Sequence, residues 1–284
     1  MIVKNLDEAR RFLPSLNLTV ENTRLDDFLQ RAQEWVVQRI IGSDIEALLE
    51  TAIPEGLTDQ HAMLRKLVQR VIAEQAYLTA SSELDVQLSE AGFVVQSNDY
   101  MKPAFDGRVD RLCESLRKRV IMDCDALVKY LGINSKDGGM YVSWRGSEQF
   151  AYLTQAFAPT AFSIEDPTTV PQLEMYNIFL LMQPKMSEGL RLLASRYVSL
   201  EEIESLLELY RDDECLSEHR VAIKCLRKAA VQYARGNMDE AKRLSAEARK
   251  YMKRYISYFP AFAASEEFKE PGDTIDHGKI VNFL

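Results

Sequence analysis

Hydrophobic residues recur at intervals of three and four over most of this chain, and the pattern is strongest on either side of residues 84–95. One apolar stripe extends over about residues 58–80, and a second extends over residues 109–131. Such spacing places the side chains on one face of a helix. The sequence therefore predicts two long helices that face the core, the second ending at Gly132.

Between these two helices the period changes from helical to alternating. Apolar residues at 84, 86 and 88 are separated by polar ones, Gly92 follows, and a second β-prone run begins at Phe93. Alternation is typical of a half-buried strand, and a glycine suits a short hairpin loop. A two-stranded hairpin is marginal by itself, so we expect it to pack on the helices or to pair with another strand. Its candidate interface residues are Leu84, Val86, Leu88, Phe93 and Val95.

The remaining sequence is also mainly helical in pattern. A capping box of the form Ser-x-x-Glu at Ser199 predicts one helix start, whereas residues 141–144 favour a short strand. The predicted fold is mainly α, a multi-helix bundle with a small β-hairpin at about residues 84–95 and an extended C-terminal tail. Further helices are predicted over about 6–13, 23–40, 44–51 and between 173 and 260.

The composition predicts four segments along the chain. Residues 61–80 resemble residues 219–236, which leaves open whether the two helical halves are one domain or an internal duplication. The predicted segments are an N-terminal helical half with the hairpin (1–135), an irregular connector (136–172), a C-terminal helical half (173–262) and an extended tail (263–284).

The tail ends in an apolar, β-prone run without an evident partner. A terminus of this composition is either disordered or docked as an added strand. We expect the hairpin and the tail to pair, within one subunit or between two. The candidate interface residues of the tail are Ile280, Val281, Phe283 and Leu284.

Charge and hydropathy narrow the classes of protein. The net charge is −8, whereas a general nucleic-acid binder is normally basic, so no direct nucleic-acid readout is expected. No apolar run approaches the roughly 18 residues of a membrane span. The first residues lack the apolar core of a signal peptide, which predicts a protein that is cytoplasmic at synthesis and does not act at a membrane.

Two local charge clusters each have two interpretations. The basic segment 235–254 is a solvated helix face or a docking face for an acidic partner. The acidic run 212–214 is a solvated loop or a cation site. The cysteines form no Cys-x-x-Cys pair, and we expect buried free thiols at Cys113, Cys124, Cys215 and Cys225.

No catalytic or metal-binding constellation stands out in the sequence. The three histidines are scattered, and Asp123 and Asp125 point to different faces of one helix, so they do not form a matched carboxylate pair. No cofactor, metal or small-molecule substrate is therefore expected. Trp144 follows a glycine-rich turn and is either a core residue or an interface residue.

The order of features resembles that of an uncharacterised prophage-encoded family of gut Bacteroidetes. The resemblance lies in a helix, the strand pair over residues 84–95, a long helix that ends with residues 127–131, and the tail segment 279–281. It covers most of the chain and rests on patterning. Members of that family are virion structural proteins of the head–tail connector or adaptor kind, without catalytic residues. The resemblance implies a ring-forming, largely helical virion component between portal and tail.

Three functional hypotheses follow. The first is a non-enzymatic structural assembly protein, a phage or prophage head–tail connector subunit that self-associates into a ring or contacts portal and tail proteins. The second is a helical scaffold or regulatory module that binds a peptide or protein in a groove. The third is an enzyme, which requires a pocket lined by acidic or histidine side chains that the sequence does not reveal.

Overall fold

The described part of the chain is mainly helical, which confirms the predicted fold class at that level. A computed structural model describes residues 1–13, 24–50, 59–83, 87–89, 92–94, 106–136, 139, 141–164 and 176–269. The helices are α1 (Leu6–Arg10), α2 (Arg24–Val36), α3 (Gly42–Glu50), α4 (Asp59–Glu83), α5 (Asp106–Asn134), α6 (Val142–Arg145), α7 (Glu148–Thr154), α8 (Tyr176–Tyr197), α9 (Leu200–Arg211), α10 (Ser217–Ala234), α11 (Met238–Arg254), α12 (Pro260–Ala264) and α13 (Glu266–Lys269).

The chain divides into two compact units, each of which is built from two separate stretches of the sequence. Unit 1 comprises Met1–Tyr152 and Thr160–Phe179, and unit 2 comprises Leu153–Pro159 and Leu180–Leu284. The segment predicted as a connector, 136–172, is therefore divided between the two units.

Helices α4 and α5 form an antiparallel pair in unit 1. Near one end the Tyr130 hydroxyl donates to the Gln60 carbonyl at 2.6 Å, and near the other Ser81 Oγ lies 3.4 Å from Cys113 Sγ. Burial of each large apolar side chain stabilises the pair by about 1.5–3 kcal/mol. The predicted stripes supply the buried residues, which are Leu64, Leu67, Val71 and Ile72 on α4 and Leu116, Val120, Cys124, Leu127 and Leu131 on α5.

The end of α5 differs from the prediction. The helix continues through Gly132 to Asn134, whose Nδ2 donates to the Tyr130 carbonyl at 2.8 Å. The carbonyls of the last turn are satisfied by later residues, because the Tyr141 N–H donates to the Asn134 carbonyl at 3.2 Å and Arg145 Nη2 donates to the Gly132 carbonyl at 3.4 Å. Gly132 is therefore inside the helix and does not end it.

Residues 141–144 were expected to form a short strand, and that prediction is wrong. Val142–Arg145 form the short helix α6. Trp144 is 1% exposed, and its Nε1 donates to the Ile40 carbonyl at 2.8 Å. Ile40 lies in a π-helical turn, Val37–Ile41, where the ordinary helical pairing is interrupted. Trp144 is thus a core residue and not an interface residue.

Close helix packing organises unit 2. Helices α10 and α11 are joined through Gly236, whose φ of +80° is readily adopted only by glycine. Gly189 of α8 lies against Tyr233 of α10, because a Cβ at Gly189 would lie 2.4 Å from the tyrosine ring. The absence of a side chain is what permits this approach.

The predicted capping box at the start of α9 forms only in part. Ser199 Oγ accepts a hydrogen bond from the Glu202 N–H at 3.2 Å. The Glu202 carboxylate is 1% exposed and accepts from the Phe262 N–H of α12 at 2.8 Å. It therefore links two helices of unit 2 and does not return to the backbone of Ser199.

Between α4 and α5 the described backbone pairs as two short antiparallel strands. These are β1 (Gln87–Ser89) and β2 (Gly92–Val94), with Leu88 opposite Phe93. The side chains of both strands lie outside the described residues, as do the rest of the predicted hairpin and the tail 270–284. The hairpin predicted over residues 84–95 is therefore not supported as a packed element.

Candidate functional site

A charged depression of about 550 Å³ opens on unit 1 beside the end of α1 and the adjacent faces of α4 and α5. Four of its side chains are cationic and two are carboxylic, and a phenylalanine and a methionine supply apolar surface. We call this surface the basic depression. It is lined by Arg11, Phe12, Lys66, Arg70, Glu74, Arg119, Met122 and Asp123.

Helical spacing places these side chains together. On α4, Lys66, Arg70 and Glu74 are each four residues apart and share one face. On α5, Arg119 and Asp123 have the same spacing. Because the apolar stripes of both helices face the core, the two charged rows lie side by side at its rim.

Glu74 is the buried centre of the depression, with 1% of its surface exposed. Arg119 donates from Nε and Nη2 to Glu74 Oε1 at 2.8 and 2.5 Å, and its Nη2 also donates to the Phe12 carbonyl at 3.0 Å. The guanidinium thereby joins α5 to α4 and to the segment after α1. Glu74 is buried and Arg119 is 38% exposed, so this half-buried contact matters for the fold as well as for the surface charge.

The second Glu74 oxygen indicates that the carboxyl holds a proton. Oε2 is buried and accepts no hydrogen bond from a described residue. Burial and the neighbouring Asp123 carboxyl raise the pKa of Glu74 to about 7, although Arg119 opposes the shift. Asp123 itself accepts from Arg70 Nη1 at 3.1 Å. A Glu74 proton donated to Asp123 gives Oε2 a partner.

This arrangement favours binding of an anionic group over acid–base catalysis. Four cations against two carboxyls leave the depression net positive. Lys66 and Arg11 are exposed, and neither forms an ion pair with a described residue. Glu74, at 1% exposed, is too buried to reach a reacting group in the depression, which a general acid or base must do. The surface can therefore bind carboxylates or phosphates.

Of the predicted interface residues, Trp144 alone has a described side chain. Trp144 lies in the core. The remaining candidates have side chains outside the described residues, and their interface role stays a prediction. They are Leu84, Val86, Leu88, Phe93, Val95, Ile280, Val281, Phe283 and Leu284.

The basic segment 235–254 contains all of α11 and is neutralised in part within unit 2. Arg243 pairs with Glu240 and Glu247, and the buried Arg249 donates to the Glu267 carbonyl. Local pairing of this kind favours a solvated helix face.

Three further expectations concern the cysteines, the acidic run and the membrane. All four cysteines are free thiols, but only Cys124 is buried as expected, and the other three are half-buried. Within the described residues no group of His, Cys, Asp and Glu side chains could hold a metal ion, and this includes the acidic run 212–214. None of the described helices is both long enough and apolar enough to cross a bilayer.

Sequence reasoning missed the Glu74–Asp123 pair because it compared Asp123 with Asp125 along the same helix. Asp125 is buried and accepts the N–H groups of Ala161 and Phe162, each at 2.8 Å, so it has a separate structural role. The available signal was the four-residue spacing of charges on both long helices. That signal indicates a site only once the register between the helices is known.

Part of the chain is similar to a family of proteins. Residues 25–153 match the sequence profile of a family described as Family of unknown function (DUF6712). The matched stretch covers less than half of the chain and includes all of α4 and α5, which carry six of the residues that line the depression. No curated protein and no solved structure matches the chain.

Proposed function

We propose that this protein is a non-enzymatic structural assembly protein, and more specifically a head–tail connector (adaptor) subunit of a phage or prophage. The observation that carries the assembly role is the basic depression, a concave and net positive surface on a chain of net charge −8. A local cationic surface on an acidic chain attracts other copies of that chain, as well as other acidic proteins. The sequence resemblance supplies the connector role.

The chemistry of the depression supports a binding role over an enzymatic one. Its buried carboxyl, Glu74, is held by Arg119, and its second carboxyl, Asp123, is held by Arg70. These groups are committed to each other and to the helix pair. The exposed cations, Lys66 and Arg11, are the groups left to contact a partner.

The partners in this proposal are further copies of the chain and the portal and tail proteins on either side. A contact between two different surfaces of the same chain is heterologous, and it closes into a ring when the rotation between copies allows closure. Contacts through exposed charges weaken with salt, since the screening length falls from about 10 Å at 0.1 M to about 3 Å at 1 M. The predicted pairing of hairpin and tail would add to such contacts.

Light scattering coupled to size-exclusion chromatography tests the assembly role. The expected result is a mass that rises with concentration from 32.5 kDa to one discrete oligomer, visible as rings in negative-stain electron microscopy. A strict monomer at every concentration, alone and mixed with the portal protein of the same genome, contradicts the proposal. Genes for portal, capsid and tail proteins are expected beside this gene, and a neighbourhood without phage genes contradicts the connector role.

A helical scaffold or regulatory module that binds an acidic partner in a groove is the second candidate function. The basic depression favours it too, because a peptide rich in Asp and Glu fits a concave cationic surface. The same light-scattering experiment separates the two functions. A monomer that binds an acidic peptide, but not its uncharged Asn/Gln counterpart, supports the module and excludes the ring.

A further inference from the structure

Helix α9 of unit 2 presents charge opposite to that of the basic depression. Four exposed carboxylates recur every three or four residues and so line one side of the helix. None of them forms an ion pair with a described residue. Leu200, 39% exposed, begins the same side. We call this surface the acidic face, and its carboxylates are Glu201, Glu204, Glu208 and Asp212.

Arg211, the arginine of α9, does not neutralise the acidic face. Arg211 directs its Nε to Thr154 Oγ1 at 3.1 Å, within unit 2. The acidic face therefore keeps its charge for a partner.

Among the described residues the basic depression is a concave basic surface, whereas the basic residues of α11 lie along one helix and are neutralised in part. On α11, Arg243 is held between Glu240 and Glu247, and Lys228 of α10 lies near Glu240. In the depression, by contrast, the exposed cations Lys66 and Arg11 have no carboxylate partner among the described residues. Unneutralised charge of each sign thus occurs on two different surfaces of one chain.

We propose that the acidic face of one copy docks into the basic depression of a second copy. The inference rests on the proposed assembly function and names its contact surfaces. Glu204 and Glu208 supply carboxylates, and Lys66 and Arg11 supply cations. Leu200 and Met122, which is 58% exposed, supply apolar contact.

Two physical consequences follow from this contact. A single exposed ion pair is weak and screened by salt, so several pairs and the apolar contact must act together. Because the two surfaces differ, an open chain of docked copies keeps a free acidic face at one end and a free basic depression at the other. Growth therefore continues until the arrangement closes on itself, as head-to-tail contacts require.

Charge reversal tests the contact on each side separately. Lys66→Glu with Arg11→Glu makes the depression acidic, and Glu204→Lys with Glu208→Lys makes the acidic face basic. Both double variants leave the Glu74–Arg119 and Arg70–Asp123 pairs intact. Each variant alone is expected to self-associate about tenfold or more weakly than wild type in sedimentation velocity. A circular dichroism melting curve for each variant separates lost docking from unfolding.

Mixing the two double variants is the decisive arm of the experiment. The reversed acidic face of one variant then meets the reversed depression of the other, and the two unreversed surfaces also meet, so every contact is again complementary. The equimolar mixture is expected to regain wild-type association. The matched control is Lys224→Glu with Lys228→Glu on α10, which changes the net charge as much as the depression variant does and is expected to associate like wild type.

Each outcome decides the proposal. Failure of the mixture to recover, or an equal loss in the α10 control, overturns it. Undiminished assembly of either double variant also overturns the docking surfaces but leaves the proposed function standing. A wild-type protein that stays monomeric removes the proposed function as well.

Discussion

Arg119 places two nitrogen atoms on a single oxygen of Glu74, with Nε at 2.8 Å and Nη2 at 2.5 Å from Oε1. Both donors reach the same oxygen, so the other oxygen, Oε2, lies buried without a donor from the described residues. A proton on the carboxyl, donated towards Asp123, accounts for this one-sided geometry.

Glu74→Gln is expected to remove a pH dependence of stability. The folded carboxyl has a pKa of about 7, above its ordinary value of 4.5, so between these values the unfolded chain loses a proton that the folded chain keeps. Stability is therefore lost as pH rises from about 4.5 through about 7, by roughly 3 kcal/mol. The carboxamide mimics the protonated side chain and does not titrate.

Urea unfolding at about pH 5 and about pH 8 measures this difference in the free energy of unfolding. The groups that face Glu74 and can modify the result are Arg119 and Asp123, which the substitution leaves in place. Parallel losses in wild type and variant over this range would show that Glu74 is ionised throughout.

Asp125→Ala is expected to lower the free energy of unfolding by about 2–4 kcal/mol, because one buried and one half-buried N–H group lose their acceptor. Its Oδ1 and Oδ2 accept from Ala161 and Phe162, both at 2.8 Å, at the start of the 3-10 turn Ala161–Ile164. Asp125→Asn keeps one acceptor oxygen and should lose about half as much. The exposed Asp110→Ala on the same helix is the control and should change stability by under about 0.5 kcal/mol. Equal effects at both aspartates would refute the structural role.

Gly189→Ala is expected to destabilise unit 2 because the added Cβ would lie 2.4 Å from the Tyr233 ring. Overpacking of this kind costs about 1–3 kcal/mol. In a Tyr233→Ala background the same substitution should become neutral or favourable by up to about 1 kcal/mol, since alanine has the higher helix propensity. A double-mutant cycle of unfolding free energies measures this coupling. Additive effects would mean that the two helices do not approach at this point.

Glu202→Ala is expected to loosen α12 without unfolding the chain. The carboxylate accepts the Phe262 N–H at 2.8 Å and also bonds the Ala261 backbone, while burial raises the pKa of Glu202. Hydrogen exchange at the Phe262 amide should accelerate by about tenfold or more. The neighbouring Glu201→Ala, at an exposed position, should leave that exchange rate unchanged. Unaltered protection in Glu202→Ala would show that other contacts hold α12.

The long helices could be predicted from sequence because their apolar stripes are regular and local. The stripe from Leu116 to Leu131 is buried as the spacing predicts. The end of α5 could not be predicted, because its terminal carbonyls accept from Tyr141 and Arg145 of the following segment and a glycine cap at 132 is not needed. The burial of Trp144 could not be predicted either. Its indole N–H donates to the carbonyl of Ile40 in the π-helical turn, more than a hundred residues earlier in the sequence.

The basic depression was beyond sequence reasoning for a related reason. Its parts are ordinary charged helix positions, and each one alone resembles a solvated face. Only the antiparallel register of α4 and α5 brings Glu74 beside Arg119 and Asp123. That register is set by the apolar contacts beneath, which no local pattern specifies.

Sedimentation velocity of the wild-type chain at two salt concentrations tests the central claim most directly. Assembly through exposed surfaces of opposite charge predicts species larger than the 32.5 kDa monomer at about 50 mM salt that dissociate at about 500 mM salt. A single 32.5 kDa boundary at both concentrations of salt, over the whole range of protein concentration, would contradict it.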